Sequence, residues 1–128
     1  AVGLGDHTQA LPDSLSGGMR QRAALLRTLM EERPVILMDE PFSALDALTR
    51  LKLQNLAARL VKGATVLLVT HDPWEALRIG HRIYIMKERP VRLSRVFLPP
   101  GTPPRTPDRE EIASMYAQLL AQLVEKRN

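Results

Sequence analysis

The sequence predicts an α/β fold with a mostly parallel sheet. Two apolar runs of strand length, residues 35–38 and 65–69, alternate with longer stretches whose apolar residues recur at helical spacing. Helices that alternate with buried strands form crossover connections, so the two strands should lie parallel in one sheet. Both runs end abruptly in polar residues, and ligands bind at the carboxyl ends of the strands in such sheets. That edge is the expected place of a functional site.

Capping residues and periodicity assign each element in order. The helices are predicted at residues 16–32, 46–62, 73–79 and 108–128, and the strands at 35–38, 65–69, 82–86 and 91–97. Pro34 should stop the first helix and Gly63 the second. In the second helix an inward stripe is expected from Leu48, Leu51, Leu56 and Leu60, with Arg50, Lys52 and Arg59 facing water. Only four residues separate the last two strands, which leaves an antiparallel hairpin open for that pair.

The chain changes character at a proline-rich segment. Five of the nine residues from 99 to 107 are proline, which predicts a stiff extended linker. Past it, an amphipathic helix is predicted from apolar residues at helical spacing: Ile112, Met115, Tyr116, Leu119, Leu120, Leu123 and Val124. Docking of this helix on its own domain is favoured over a regulatory or dimer contact. The predicted division of the chain is therefore 1–98, 99–107 and 108–128.

The start of the first helix is a candidate anion site. Ser16 is a good N-cap, and Gly17 and Gly18 leave the first-turn N–H groups uncovered where the helix dipole adds positive charge. These three residues form a possible phosphate seat. Taken alone, a serine and two glycines before a helix are more often a plain helix cap.

Polar side chains follow both predicted strands at their carboxyl ends. Asp39 and Glu40 end the first strand, and His71 follows the second. If the strands are parallel, the carboxylate pair and the imidazole share one edge of the sheet. Taken singly, the pair could be the solvated start of a loop, and the histidine could be structural.

Together these motifs resemble those of the ATP-binding subunits of ABC transporters. The matches are residues 15–18 with Gln21 and Arg22 for the LSGG signature, 35–40 for the Walker B strand, 43–46 for the D-loop and His71 for the switch histidine. The resemblance covers about residues 2–97. It implies a partial P-loop NTPase core, RecA-like and ABC-type, with part of the helical subdomain and a C-terminal amphipathic helix.

The resemblance implies a role in ATP hydrolysis for each site residue. Glu40 would act as general base on the attacking water, and His71 would hydrogen-bond the γ-phosphate. Asp39 would hold Mg²⁺ through water, because that ion keeps much of its hydration shell. The residues implied in binding ATP are Leu15, Ser16, Gly17, Gly18, Gln21 and Asp46.

The resemblance also implies partners and a location. In the family, two ATP-binding subunits form a head-to-tail dimer in which the signature of one covers the ATP held by the other. The dimer would lie in the cytoplasm on the inner face of the membrane, docked on transmembrane permease subunits. Residues 18–22, 39–50 and 87–90 resemble those of bacterial importers for nitrate, sulfonates, taurine and thiamine-precursor pyrimidines. Nucleic acid is not an expected partner, because the net charge of +4 is scattered along the chain and only 4% of residues are aromatic.

The phosphate-binding loop of this family is missing from the sequence. No G-x-x-x-x-G-K-[ST] stretch occurs, and Lys62 and Gly63 stand in the reverse order. We therefore expect the chain to be the C-terminal part of a longer ATPase subunit and to show no ATPase activity alone. Two other classes stay open: a truncated, non-catalytic interaction module, and a non-transport ABC ATPase acting on nucleic acid.

Overall fold

The computed structural model describes residues 17–87 and 89–127. Its elements follow in the order α1 (Gly17–Met30), β1 (Val35–Asp39), α2 (Ala47–Leu60), β2 (Thr65–Val69), α3 (Pro73–Ile79), β3 (Met86–Lys87), β4 (Arg92–Leu93) and α4 (Glu110–Arg127). The chain forms two compact units, one up to Val69 and one from Thr70. The prediction of an α/β fold with a parallel strand pair is confirmed. Within these ranges, no helix is both long enough and apolar enough to span a membrane.

The first unit is built on the parallel pair β1–β2. The register runs from Val35 opposite Thr65 to Asp39 opposite Val69. The ladder continues one residue past β1, because the Glu40 N–H donates to the Val69 carbonyl at 2.8 Å. Buried apolar side chains of this unit are Leu25, Leu29, Ile36, Met38, Phe42, Leu45, Leu53 and Ala57. The helix α1 contacts α2, so the signature helix and the strand ends belong to one packed body.

One face of this sheet is open, which differs from the predicted burial of both strands. Alternate residues of β1 are buried, but Val35 and Leu37 are 59% and 72% exposed, and Leu67 on β2 is 61% exposed. A parallel sheet is usually covered on both faces. The apolar composition of both strands predicts that other residues pack against each face of the sheet. The described residues of this chain pack against one face.

The buried side of α2 was predicted wrongly. Its buried residues are Leu53, Gln54 and Ala57, whereas Leu48, Leu51 and Leu60 of the expected stripe are exposed. Arg50, expected to face water, donates instead to the carbonyls of Phe42 and Leu45. Leucines are spread over more than half of the circumference of this helix, so periodicity alone could not select the buried side.

The second unit packs α3, the β3–β4 hairpin and α4 around one apolar cluster, formed by Leu77, Ile83, Ile85, Phe97 and Leu119. The strands β3 and β4 pair antiparallel, and Ile83 pairs antiparallel with Phe97. The antiparallel alternative for the last two strands is therefore confirmed. Docking of the C-terminal helix within its own unit is also confirmed, since the Trp74 and Tyr116 rings meet edge-on with centroids 6.4 Å apart.

Arg105 fastens the proline-rich segment to α3. All residues from 99 to 107 are described, and none lies in a helix or strand. The buried guanidinium of Arg105 donates to five carbonyls, those of Leu77, Gly80, Pro99, Pro100 and Gly101. Burial lowers the pKa of the Arg105 guanidinium from its ordinary value. The segment predicted as a linker is thus anchored at the C-terminal end of α3, where the last carbonyls have no partner within the helix and attract a cation.

Candidate functional site

The predicted site residues are divided between the two units. Leu15 and Ser16 lie outside the described residues, so the geometry of the phosphate seat begins at Gly17. The first unit holds Gly17, Gly18, Gln21, Asp39, Glu40 and Asp46, and the second holds His71.

The two glycines that open α1 have different surroundings. Gly17 is exposed, and no described heavy atom lies within 4 Å of the position that a Cβ would take. At Gly18, a Cβ would stand 3.2 Å from the carbonyl oxygen of Ala44. The sequence predicts the same role for both glycines, which is to let a phosphate approach the backbone closely. The structure adds a second purpose for Gly18, which is close approach to the chain's own loop.

Gln21 contacts the segment between β1 and α2, residues 40–46, which we call the β1–α2 loop. Its Oε1 accepts a hydrogen bond from the Ala44 N–H at 2.8 Å. Its Nε2 donates to the Glu40 carbonyl at 3.0 Å and to the Ser43 hydroxyl at 3.3 Å. The predicted contact of Gln21 with ATP would have to compete with these bonds.

The backbone of Glu40 adopts a conformation that side chains rarely take. Its φ is 48°, and left-handed backbone costs a non-glycine residue about 1–2 kcal/mol. Besides the bond from Gln21, its carbonyl accepts from the Ser43 hydroxyl at 3.1 Å and the Ser43 N–H at 3.4 Å. Strain that surrounding bonds maintain is found preferentially at functional sites. Glu40 is thus fixed on its N–H side by Val69 and on its carbonyl side by the loop.

Asp39 occupies the last position of β1, where it is exposed. Over residues 17–87 and 89–127, no three or more His, Asp or Glu side chains are grouped to hold a metal ion. Mg²⁺ usually keeps several waters and binds proteins through one or two carboxylates together with substrate phosphates. The donor chemistry of Asp39 therefore fits a water-mediated contact with Mg²⁺ in the presence of a nucleotide, and does not fit a metal centre made of protein ligands alone.

Asp46 is the N-cap of α2. Its Oδ1 accepts from the Thr49 N–H at 2.9 Å, and its Oδ2 accepts from the Thr49 hydroxyl at 2.8 Å. The hydrogen bond from the Thr49 N–H contributes most, and the bond from the Thr49 hydroxyl comes next, in holding the pKa of Asp46 below its ordinary value of 3.8. The positive charge of Arg22 makes a smaller contribution. The Arg22 Nη2 lies 3.9 Å from the Asp46 carboxylate. The carboxylate of Asp46 therefore has a local structural role, which sequence reasoning did not separate from its implied role in binding ATP.

His71 lies in the turn between β2 and α3, and it is exposed. The residues on each side fix this turn, because the Asp72 N–H donates to the Thr70 hydroxyl at 3.1 Å. The Asp72 carboxylate in turn accepts from the Trp74 N–H at 2.9 Å and caps α3. Sequence reasoning missed Asp72 as a cap, although an aspartate directly before a proline at the first helical position is a recognised signal.

Comparison with known proteins identifies relatives over nearly the whole chain. A family model described as ABC transporter matches residues 1–43. An uncharacterized ABC transporter ATP-binding protein of Haemophilus influenzae is 47% identical over 125 residues, which cover 95% of this chain and 52% of that protein. The aliphatic sulfonates import ATP-binding protein SsuB of Delftia acidovorans is 54% identical over 89 residues, or 68% of this chain and 37% of that protein. The taurine import ATP-binding protein TauB of Roseobacter denitrificans is 48% identical over 101 residues, or 77% and 38%.

The chain spans about half the length of the Haemophilus influenzae relative and less than two fifths of the other two. The matching relatives carry names that agree with the motifs quoted from the sequence. The signature residues also lie inside the segment that the family model matches. Family model, relatives and motifs lead to one conclusion: the chain belongs to the family of ABC transporter ATP-binding proteins.

Proposed function

We propose that this chain is part of the ATP-hydrolysing subunit of a bacterial ABC importer. The observation that supports this most is the placing of Asp39 and Glu40 at the carboxyl end of β1, level with the end of its parallel neighbour β2. Nucleotides bind at such an edge in α/β proteins. The strained and well-fixed backbone of Glu40 supports a catalytic place for its side chain.

In the proposed reaction Glu40 accepts a proton from water as the water oxygen bonds to the γ-phosphorus. The bond from that phosphorus to the bridging oxygen of ADP breaks. His71 donates a hydrogen bond to the γ-phosphate, and Asp39 binds water molecules of the Mg²⁺ shell. When bound, Mg²⁺ neutralises phosphate charge. Positioning and electrostatics supply most of the catalysis in such phosphoryl transfers.

The phosphate seat serves a second copy of the subunit in this proposal. Leu15, Ser16, Gly17 and Gly18 would cover the γ-phosphate of ATP held by the partner subunit, and Asp46 would lie near the same interface. Gly17 suits this contact because the described residues leave open space where its Cβ would stand. Closure with ATP and opening after hydrolysis would move the permease subunits between two states. The names of the SsuB and TauB relatives favour a sulfonate as the solute, bound by the permease and not by this subunit.

A fusion protein tests the proposal. The preceding part of the Haemophilus influenzae relative, joined to position 1 of this chain, should supply the missing phosphate-binding loop. We expect the fusion to hydrolyse ATP with Mg²⁺, and Glu40→Gln to lower kcat by about 10²–10⁴-fold while ATP still binds. Glu32→Gln is a matched control, because Glu32 is exposed and has the same φ of 48°.

Equal turnover by the wild-type fusion and its Glu40→Gln variant would exclude Glu40 as the base. The 128-residue chain by itself is expected to show no turnover, since it has no phosphate-binding lysine loop. Magnesium-dependent hydrolysis by that purified chain would contradict this expectation.

A further inference from the structure

We propose that Gln21 is a positioning residue that holds Glu40 in place for hydrolysis and links Glu40 to the glycines that open α1. The proposal rests on the proposed function and deepens it. It assigns Gln21 a role within its own subunit, in place of a contact with nucleotide.

Both polar atoms of the Gln21 side-chain amide bind backbone groups of the β1–α2 loop. The amide oxygen accepts from Ala44 at 2.8 Å, and the amide nitrogen donates to the Glu40 carbonyl at 3.0 Å. Because one planar group makes both bonds, it fixes the distance between these two points of the loop. The Glu40 carbonyl belongs to the residue whose φ is left-handed. Gln21 therefore stabilises the backbone conformation from which the Glu40 side chain extends.

The same face of α1 carries both the glycine contact and the glutamine contact. Gln21 lies three residues after Gly18, so the two residues are neighbours on the helix surface. Gly18 approaches the Ala44 carbonyl, and Gln21 accepts from the Ala44 N–H. One turn of α1 thus contacts both sides of residue 44.

A third contact lies further along the loop. Arg22 Nη2 stands 3.9 Å from the carboxylate of Asp46, which caps α2. The turn of α1 from Gly18 to Arg22 is therefore joined to the loop at Glu40, Ala44 and Asp46. A phosphate that binds at Gly17 and shifts this turn would shift the Glu40 backbone with it. Binding of phosphate at the helix start would therefore affect the position of Glu40, the proposed general base.

Amide hydrogen exchange on the full 128-residue chain tests the contact directly. Gln21→Met keeps the length of the side chain but removes both hydrogen-bonding atoms. We expect exchange of the Ala44 N–H to become at least about tenfold faster, the ratio that loss of one ordinary hydrogen bond produces. Arg20→Met is the matched control, because Arg20 is the exposed residue next to Gln21 on α1, and exchange at Ala44 should not change.

Steady-state kinetics of the fusion described above test the role in hydrolysis. Gln21→Met should lower kcat by about tenfold or more with little change in KM for ATP, because it displaces the base without removing a nucleotide contact. Gln21→Glu keeps the acceptor for Ala44 but, when ionised, cannot donate to the Glu40 carbonyl. It should therefore lower kcat as Gln21→Met does, while Arg20→Met retains wild-type kinetics.

Each outcome decides the proposal. Faster exchange at Ala44 with a fall confined to kcat supports it. Unchanged exchange, an unchanged kcat, or a rise in KM alone overturns it, the last result indicating a nucleotide contact instead. If the wild-type fusion fails to hydrolyse ATP, the positioning role falls together with the proposed function. That case is recognisable because the wild-type protein fails, whereas failure of the positioning role leaves the wild-type protein active.

Discussion

The Ala44 carbonyl oxygen lies 3.2 Å from the position that a Cβ on Gly18 would occupy. At that distance any larger residue at position 18 would push α1 and the β1–α2 loop apart by a few tenths of an ångström. Gly17, one residue earlier, has open space in the described part of the chain. The glycine pair of the signature therefore divides into one residue that the fold needs and one that is available to a ligand.

Substitution at these two glycines should separate stability from activity. Gly18→Ala should lower the free energy of unfolding by about 1 kcal/mol through overpacking, whereas Gly17→Ala should change it by less than about 0.5 kcal/mol. In the fusion, Gly17→Asp should abolish ATPase activity, because its carboxylate would face the γ-phosphate. Denaturant unfolding followed by circular dichroism, together with an ATPase assay, measures both effects. Equal loss of stability at both positions would show that the two glycines are not distinct.

The Asp46 cap should make stability depend on pH in the acid range. Hydrogen bonds from Thr49 lower the pKa of Asp46 in the folded chain, so its ionised form stabilises the fold. This contribution is complete above the unfolded pKa of about 3.9 and is lost as the pH falls through the lower folded pKa. Asp46→Asn keeps a capping oxygen but cannot ionise.

The Tm difference between the wild-type chain and Asp46→Asn should therefore narrow as the pH falls from about 6 to below 4. Thermal melts at matched pH values measure this difference. A difference that stays constant over the range would mean that Asp46 has the same pKa in the folded and unfolded chain.

Arg105 should be intolerant even of lysine. A lysine ammonium has three donors and no planar fork, so it cannot reach the five carbonyls that the Arg105 guanidinium binds. Carbonyls left buried without a donor cost about 1–3 kcal/mol each, and we expect Arg105→Lys to lower the free energy of unfolding by at least about 2 kcal/mol. Arg82→Lys, at an exposed position, is the control. Equal stability of the two variants would show that the carbonyl contacts contribute little.

The fluorescence of Trp74, the only tryptophan in the sequence, reports whether α4 is docked. Leu119 is 1% exposed and its neighbour Leu120 is 39% exposed. Leu119→Ala should therefore lower the free energy of unfolding by about 2–5 kcal/mol, and Leu120→Ala should lower it much less. Trp74 contacts Tyr116 on α4, so its fluorescence should shift to the red when α4 leaves α3. A red shift with Leu120→Ala but not with Leu119→Ala would place the wrong face of α4 against the cluster.

Local signals in the sequence were enough to predict the bounds of those elements whose ends are marked by glycine or proline. The strand at 65–69 and the helix at 73–79 have the predicted bounds, because glycine and proline mark their ends and an apolar run fills the strand. The motif order was enough to identify the family. Spacing could not identify Gln21 as a loop contact or Arg105 as an anchor. Gln21 binds the distant backbone groups of Glu40 and Ala44, and Arg105 binds the distant carbonyls of Leu77 and Gly80.

The sequence by itself determined the α/β class, the family and the order of polar residues at the strand ends, since these follow from periodicity and motif spacing. Tertiary structure alone decided which side of α2 is buried, that β3 and β4 form a hairpin, and that Gly18 and Gln21 contact the β1–α2 loop. The hairpin pairs neighbouring segments that could also have separated, whereas the buried side of α2 and the contacts of Gly18 and Gln21 depend on residues far apart in the chain. A helix with leucines over more than half of its circumference, or a glutamine with both polar atoms available, favours no partner until packing brings one within reach.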